Sequence, residues 1–377
     1  MQLPPLGLYI HLPWCERKCP YCDFNSHEVA AIPESQYIDC LLADLEADRA
    51  LARDRPVRSI FIGGGTPSLF SAAGIARVLK GVAAIIELDA DAEITLEANP
   101  GSAEACKFRG FREAGVNRLS LGIQSFDDAR LTALGRIHNS DQAHAAIEHA
   151  RSAGFDNFNI DLMHGLPGQD AAGACEDLAQ ALGHEPPHLS WYQLTIEQNT
   201  VFYKRPPLLP VEDELADIQA EGEQLLAAGG YQQYEVSAYS QPERQCRHNL
   251  NYWHFGDYLA MGAGAHGKIT AADGSITRYA KTRLPQDYMK AAPGSCTASS
   301  TPLAAEDIAG EFMLNALRLN AGFTPQDFTH MTGLPLASVQ ATLQSLIERE
   351  LLQQDEGGIR TTVLGRRFLD SVVLEFF

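Results

Sequence analysis

Three of the eight cysteines of this 377-residue chain fall close together near the N-terminus. They are Cys15, Cys19 and Cys22 in the segment YIHLPWCERKCPYCDF, separated by three and then two residues. A structural zinc site is usually closed by four protein ligands, whereas a [4Fe–4S] cluster held by three thiolates leaves one iron open to another ligand. The spacing favours such a cluster. A zinc site completed by His11 or His27, or a disulfide, is the alternative.

The charge balance and the N-terminus limit the partners and the compartment. The net charge is −19, which argues against binding to nucleic acid or to an anionic membrane surface. The chain begins without a basic region followed by an apolar run, and no stretch is apolar for long enough to be inserted stably in a membrane. We therefore expect a cytoplasmic protein whose other cysteines are plain thiols, with Cys246 as the exception: Cys40, Cys106, Cys175, Cys246 and Cys296.

Short β-branched runs alternate with helical segments along the first half of the chain. The predicted strands are residues 8–12 and the runs VRSIFIGGG, EITLEANP, RLSLGIQS, NFNIDLMHGLP and HLSWYQLTIE. The predicted helices between them cover 34–53, 72–87, 103–113, 127–133, 140–153 and 171–183. This alternation is typical of an α/β fold with a parallel sheet, and six strands predict an incomplete (β/α)6, TIM-like barrel.

We divide the chain into three regions. Residues 1–200 form the partial barrel, 201–300 complete it and carry an aromatic, histidine-containing stretch, and 301–377 form a C-terminal domain. Residues 297–305, rich in Ser, Thr and Ala, are predicted to be a linker. Three helices, a hairpin around Gly357 and a final helix predict a winged-helix-like α+β tail. Its acidic residues favour packing against the barrel over DNA binding.

Polar residues recur where the predicted strands end. In parallel barrels the functional side chains gather at the carboxyl ends of the strands. Glycine leaves the backbone open to close approach by a ligand, and carboxylates accept hydrogen bonds from hydroxyl or amino groups. The residues at these ends are Gly64, Gly65, Thr66, Glu97, Gln124 and Asp161. Tight turns and helix capping are the ordinary explanations of each residue taken alone.

These motifs together resemble the radical S-adenosylmethionine (SAM) superfamily, and within it the HemN-like branch. The matching segments are YIHLPWCxxxCxYCDF, FIGGGTPS, EANP, LSLGIQSF, LGRIH and DLMHGLP. The resemblance implies that an open iron of a [4Fe–4S] cluster binds the amino and carboxylate groups of SAM. It also implies the following SAM and cluster contacts: Tyr9, Phe24, Gly64, Gly65, Thr66, Glu97, Gln124, Arg136 and Asp161. Arg136 would counter the SAM carboxylate, because a guanidinium stays charged and offers a planar donor fork.

Three features separate the chain from the oxygen-independent coproporphyrinogen III oxidases of that branch. Phe24 stands where those enzymes carry a fourth cysteine, and only 14 residues precede Cys15, where they carry a long extension. The segment His248-Asn249-Leu250-Asn251-Tyr252-Trp253 resembles the HNxxYW motif of the haem-chaperone subgroup. The resemblance therefore implies a haem chaperone, and a true oxidase that forms protoporphyrinogen IX by SAM radical chemistry is the alternative.

The HNxxYW-like segment carries the haem prediction. The imidazole of His248 could bind haem iron, with Asn249 beside it and Tyr252 and Trp253 offering flat faces to a porphyrin. Cys246, His11 and His266 are further candidate ligands, and core packing is the ordinary explanation. The implied partners are haem and an apo haem-protein acceptor, such as one of the respiratory chain. No motif decides between a monomer and a homodimer.

Overall fold

The framework of the molecule is one sheet of 12 strands. The computed structural model describes residues 3–101 and 107–377. Six of the strands are those predicted from the sequence: β1 (Leu6–Leu12), β2 (Val57–Gly64), β3 (Leu88–Ala98), β4 (Arg118–Gln124), β5 (Phe158–His164) and β6 (His188–Gln193). They pair in chain order, and every pairing is parallel. Their carboxyl ends therefore share one edge, and the predicted α/β barrel architecture is confirmed.

Burial on both faces explains why these segments form parallel strands. In β1 every residue except Tyr9 is buried, which is typical of a strand covered on both sides. Helices alternate with the strands: α1 (Glu34–Asp48), α2 (Ala72–Ile85), α3 (Phe108–Glu113), α4 (Asp128–Ala133), α5 (Ser140–Ser152) and α6 (Ala171–Gly183). Val78 and Val82 of α2 join the same core as Ile60 of β2. The first part of the predicted helix 103–113, including Cys106, lies outside the described residues.

The chain after β6 extends the sheet at both ends. It forms α7 (Val201–Lys204), α8 (Glu212–Ala228), β7 (Gln232–Glu235), β8 (Ala238–Ser240), α9 (Arg247–Trp253), β9 (Asp257–Met261), β10 (His266–Thr270), β11 (Ile276–Lys281), α10 (Pro285–Lys290) and β12 (Thr297–Pro302). The strand order is β12-β11-β10-β9-β1-β2-β3-β4-β5-β6-β8-β7. The sheet thus has two free ends, as expected of an incomplete barrel.

None of these six added strands was predicted from the sequence, and two of them bear on particular predictions. β9 pairs in parallel with β1 and adds a seventh parallel strand that was not predicted. The prediction of a linker at 297–305 was wrong for its first part. Residues 297–302 form β12 and pair antiparallel with β11. All six residues of β12 are exposed, so the segment has the polar composition of a linker although it is an edge strand.

The C-terminal elements share a separate hydrophobic cluster. They are α11 (Ala305–Ala316), α12 (Pro325–Thr332), α13 (Gln340–Glu348), β13 (Leu352–Asp355), β14 (Gly358–Thr361), α14 (Val363–Arg367) and α15 (Leu369–Leu374). β13 and β14 form an antiparallel hairpin. Phe312, Phe328 and Leu343 are buried in this cluster, and Phe255 from the segment between α9 and β9 packs with them. No described helix has the length and apolar character needed to cross a bilayer.

Candidate functional site

The three predicted cluster cysteines lie together at the edge where the parallel strands end. Cys15 follows β1 in a two-residue ladder with His27–Glu28, and Cys19 and Cys22 lie in the loop between them. All three line a cavity of about 510 Å³, which we call the first cavity. All three are free thiols. The fold therefore brings the three sulfurs of the motif to one open space.

Hydrogen-bond donors reach two of these sulfurs. The hydroxyl of Thr66 donates to Cys15 Sγ at 3.5 Å, and Nη1 of Arg136 donates to Cys19 Sγ at 3.6 Å. Burial raises the pKa of Cys15 and of Cys22. Thiolates are the form of cysteine that binds iron, and hydrogen-bond donors of this kind stabilise a thiolate.

The donor set fits an open cluster better than a closed zinc site. Among the described residues, no histidine and no fourth cysteine lines the first cavity. The ring nitrogens of His11 contact Tyr9 Oη at 2.8 Å and the carbonyl oxygen of Asn25 at 2.9 Å. His27 contacts Asn25 Oδ1 at 3.2 Å. Both histidines are thus engaged elsewhere, and three thiols facing free space match a cluster with one uncapped iron.

The glycine-rich loop after β2 packs directly on the cysteine loop. Gly64 has a φ of 114°, which favours glycine. A Cβ on Gly65 would stand 2.5 Å from the carbonyl oxygen of Trp14, the residue before Cys15. The backbone N–H of Thr66 donates to the same oxygen at 2.8 Å. Glycine is therefore needed here for contact between the two loops, and all three predicted residues of this motif line the first cavity.

Glu97 and Asp161 are two of the four carboxyl side chains that line the first cavity, with Glu16 and Glu235. Burial, and then the charge of Asp161, raise the pKa of Glu97 to about 8. Burial likewise raises the pKa of Asp161, although Ser120 and Asn159 donate hydrogen bonds to it at 3.0 and 2.7 Å. A cation placed between the two groups would favour their ionised forms.

Arg136 and Gln124 occupy the wall beside the cysteines. Nη2 of Arg136 donates to Asn99 Oδ1 and to the carbonyl oxygen of Gly122, both at 2.7 Å. Its Nε is buried and has no hydrogen-bond partner among the described residues. Gln124 has a φ of 71°, a strained conformation for a residue with a side chain, and its Oε1 accepts from Tyr192 Oη at 2.9 Å. A guanidinium held in this way at a cavity wall suits a ligand carboxylate.

The two predicted aromatic contacts are divided between two cavities. Phe24 is 64% exposed and lines both the first cavity and a neighbouring space of about 750 Å³, which we call the second cavity. Tyr9 lines only the second cavity. The structure therefore separates Tyr9 from the residues around the cysteines, whereas Phe24 stands where the two spaces adjoin.

His248 is buried in α9 and lines neither cavity. Its Nδ1 lies 3.0 Å from Glu93 Oε1, and its ring stacks on Phe61 with 4.3 Å between centroids. Cys246 Sγ lies 3.1 Å from the same nitrogen. Burial lowers the pKa of His248, so we assign a neutral ring that donates to Glu93. Iron ligation by His248 or Cys246 stays a prediction, and in this structure both residues belong to a packed network.

Three other residues of that segment line the cavities. Asn249 lines the first cavity, Tyr252 the second, and Trp253 both. Arg318 from the C-terminal region lies over the Trp253 ring, 4.3 Å from its centroid. The α9 helix therefore forms the partition between the two cavities.

Comparison with known proteins agrees with this architecture. A family model described as the radical SAM superfamily matches residues 9–179, and one described as the HemN C-terminal domain matches residues 303–368. The heme chaperone HemW of Escherichia coli is 50% identical over all of this chain and 99% of its own length. The chain belongs to the HemW family. The assignment made from the motifs is thereby confirmed.

Three further similarities also extend across nearly the whole chain. The heme chaperone HemW of Haemophilus influenzae is 49% identical, covering 100% of this chain and 98% of its own. The mouse mitochondrial radical S-adenosyl methionine domain-containing protein 1 is 36% identical, and the match covers 98% of this chain and 86% of the mouse protein. Coproporphyrinogen III oxidase (HemN) from E. coli, described as a radical SAM enzyme, superimposes with a TM-score of 0.84 at 25% identity, covering 99% of this chain and 90% of its own.

Several lining residues of this HemW-family chain were not predicted from the sequence. Asn99 donates to Thr66 Oγ1 at 3.0 Å and accepts from Arg136, so it joins the glycine loop to the arginine. Ser120 and Tyr192 support Asp161 and Gln124. Asn99 follows Glu97 in the EANP segment and Tyr192 lies near the end of β6, so their positions at strand ends were the available signal.

Proposed function

We propose that this protein is a haem chaperone that holds a [4Fe–4S] cluster, binds SAM, and delivers haem to an acceptor haem protein. The cluster ligands would be Cys15, Cys19 and Cys22. The supporting observation is that a cavity walled by three free thiols adjoins an aromatic cavity, with Phe24 and Trp253 lining both. Relatives that match the whole chain carry the name heme chaperone.

SAM would occupy the first cavity beside the cysteines. The charged side chain of Arg136 lines this cavity beside Cys19, which supports a role against the SAM carboxylate. Gly64, Gly65 and Thr66 form a surface that a methionyl group could approach. Glu97 and Asp161 would accept from amino or ribose hydroxyl groups, with Gln124 as a further contact. A bound cluster would supply one uncapped iron for the amino and carboxylate groups of SAM.

Haem would be held in the second cavity, against the aromatic rings contributed by the HNxxYW-like segment. Tyr252 and Trp253 offer flat apolar faces there. Phe24 replaces a fourth cysteine and adds an apolar surface between the two cavities. The acceptor would be an apo haem protein, such as one of the respiratory chain. The compartment would be the reducing cytoplasm, where thiols needed for iron are not consumed in disulfides.

Haem uptake and release test this proposal. Anaerobically reconstituted protein is titrated with haemin, and the Soret band is followed to determine stoichiometry. The loaded protein is then separated from free haemin and mixed with an apo b-type cytochrome. We expect one haem per chain and transfer to the acceptor faster than from serum albumin. Non-saturable uptake, or transfer no faster than from albumin, would contradict a chaperone role.

The oxidase remains a second candidate, because coproporphyrinogen III oxidase superimposes over nearly all of the chain. The same anaerobic preparation, supplied with reductant and SAM, is assayed for decarboxylation of coproporphyrinogen III. We expect no product, since Phe24 replaces the fourth cysteine of those enzymes. Turnover at the rate of a parallel oxidase control would favour the enzyme over the carrier.

A further inference from the structure

The second cavity has the chemistry of a porphyrin site. It occupies about 750 Å³, and its walls carry six aromatic side chains: Tyr9, Phe24, Phe61, Tyr252, Trp253 and Tyr258. Tyr252 packs edge-on against Tyr258 at 4.8 Å between centroids, and Tyr9 lies 5.6 Å from Phe61. These contacts hold the rings in place before any ligand arrives. A large planar ligand with an apolar body would bury the most surface here.

Two histidines line the second cavity, and their surroundings differ. Both ring nitrogens of His11 are engaged, by Tyr9 Oη at 2.8 Å and by the carbonyl oxygen of Asn25 at 2.9 Å. His266 begins β10, is exposed, and makes no side-chain hydrogen bond or ion pair within the described part of the chain. His266 is therefore the imidazole in this cavity that can bind iron without breaking an existing hydrogen bond.

The rim of the cavity also carries charge. The exposed Arg283 lines it, and its only side-chain hydrogen bond within the described residues is a 3.4 Å contact with Asn25. Lys281 lines it too, but its ammonium is bonded to Asp44 and Asp48 at 2.7 and 2.6 Å. Asp23 is the carboxylate among the lining residues. Arg283 is thus the cation available to a ligand carboxylate such as a porphyrin propionate.

We infer that His266 is the iron ligand for haem in the second cavity, with Arg283 at the propionates and the aromatic walls against the ring. This inference rests on the proposed haem-chaperone function and names the site where that function would occur. His248 then acts as a positioning residue. Its ring stacks on Phe61 and meets Tyr252 edge-on, with 6.2 Å between centroids, so it holds two walls of the cavity from behind.

Ligand replacement tests the assignment. Haemin is titrated into full-length parent protein, His266→Ala and a matched control, His149→Ala, which removes an exposed histidine of α5 far along the chain. We expect His266→Ala to bind haemin at least ten-fold more weakly and to lose the Soret and visible absorption signals of an imidazole-ligated haem. Exogenous imidazole should restore those signals. His149→Ala should match the parent.

A second variant separates the two candidate histidines. His248→Asn removes the motif imidazole, and we expect weaker binding with the ligand signature of the parent retained. The inference is overturned if His266→Ala keeps the affinity and spectrum of the parent, or if His248→Asn, verified as folded by circular dichroism, loses the imidazole signature. If the parent itself takes up no stoichiometric haem, the proposed function fails instead.

Discussion

The guanidinium of Arg136 lies 3.6 Å from the sulfur of Cys19 and binds Asn99 with its other terminal nitrogen at 2.7 Å. One side chain from the loop after α4 therefore connects the cysteine loop to the end of β3. The same side chain has a buried Nε with no partner among the described residues. Arg136 is thus held by both terminal nitrogens, and its side chain lines the first cavity.

Replacement of this residue by lysine tests its role. Lysine keeps the charge but loses the planar fork that binds Asn99 and Gly122. We expect Arg136→Lys to weaken SAM binding by about 1.5–3 kcal/mol, a factor of roughly 10 to 150, measured by calorimetry on reconstituted protein. Arg205→Lys, on the exposed segment after α7, is the control. An unchanged SAM affinity would remove Arg136 from the site.

The stability of the SAM-free protein should fall as pH rises, because of Glu97. Its pKa is about 8 in the folded state against 4.5 ordinarily. Between these two pKa values Glu97 is protonated in the native state and ionised in the unfolded state. The free energy of unfolding is therefore highest below pH 4.5 and declines as the pH rises to about 8. The parent should lose unfolding free energy between pH 6 and pH 8, and Glu97→Gln should lose about 1–2 kcal/mol less over the same range, measured by urea unfolding. Glu356→Gln, on the exposed hairpin, should leave the slope unchanged.

Glu93 should be essential for stability although it lies outside both cavities. Its carboxylate accepts from the backbone N–H groups of Arg247 and His248 and from the His248 ring, at 3.0 to 3.2 Å. Glu93→Ala leaves these three buried donors unpaired, and we expect a loss of about 3–5 kcal/mol in urea unfolding. Asp91, two residues before Glu93, forms an exposed ion pair with Arg247. Asp91→Ala removes this pair and should not change the midpoint of urea unfolding. Equal effects of the two substitutions would contradict this account.

The repeated strand-and-helix pattern could be predicted from the sequence because it depends on residues close together in the chain. β-Branched runs and turn glycines lie within a few residues of the elements that they define. The strand ends then placed Glu97, Gln124 and Asp161 around one cavity without further information. Cys15, Cys19 and Cys22 were readable for the same reason, since their spacing is local.

The remaining features depend on contacts between distant parts of the chain. β9 is a strand because β1 offers it a free edge more than 240 residues earlier, and the sequence around it carries no period that predicts this. The burial of His248 depends on contacts of its helix with Glu93 of β3 and Phe61 of β2. The same motif of a histidine followed by two aromatic residues is compatible with a histidine that faces a ligand and with one that faces the core. The motif alone therefore did not predict the orientation of the His248 side chain.

The central claim is that Cys15, Cys19 and Cys22 hold a [4Fe–4S] cluster, and the iron and sulfide content of anaerobically reconstituted protein tests it most directly. The parent and the controls Cys40→Ser and Cys175→Ser, which alter cysteines outside the first cavity, should contain about four iron and four sulfide per chain. Each of Cys15→Ser, Cys19→Ser and Cys22→Ser should contain little of either. A parent that retains zinc instead of iron, or a cysteine variant of the three with the iron and sulfide content of the parent, would contradict the account.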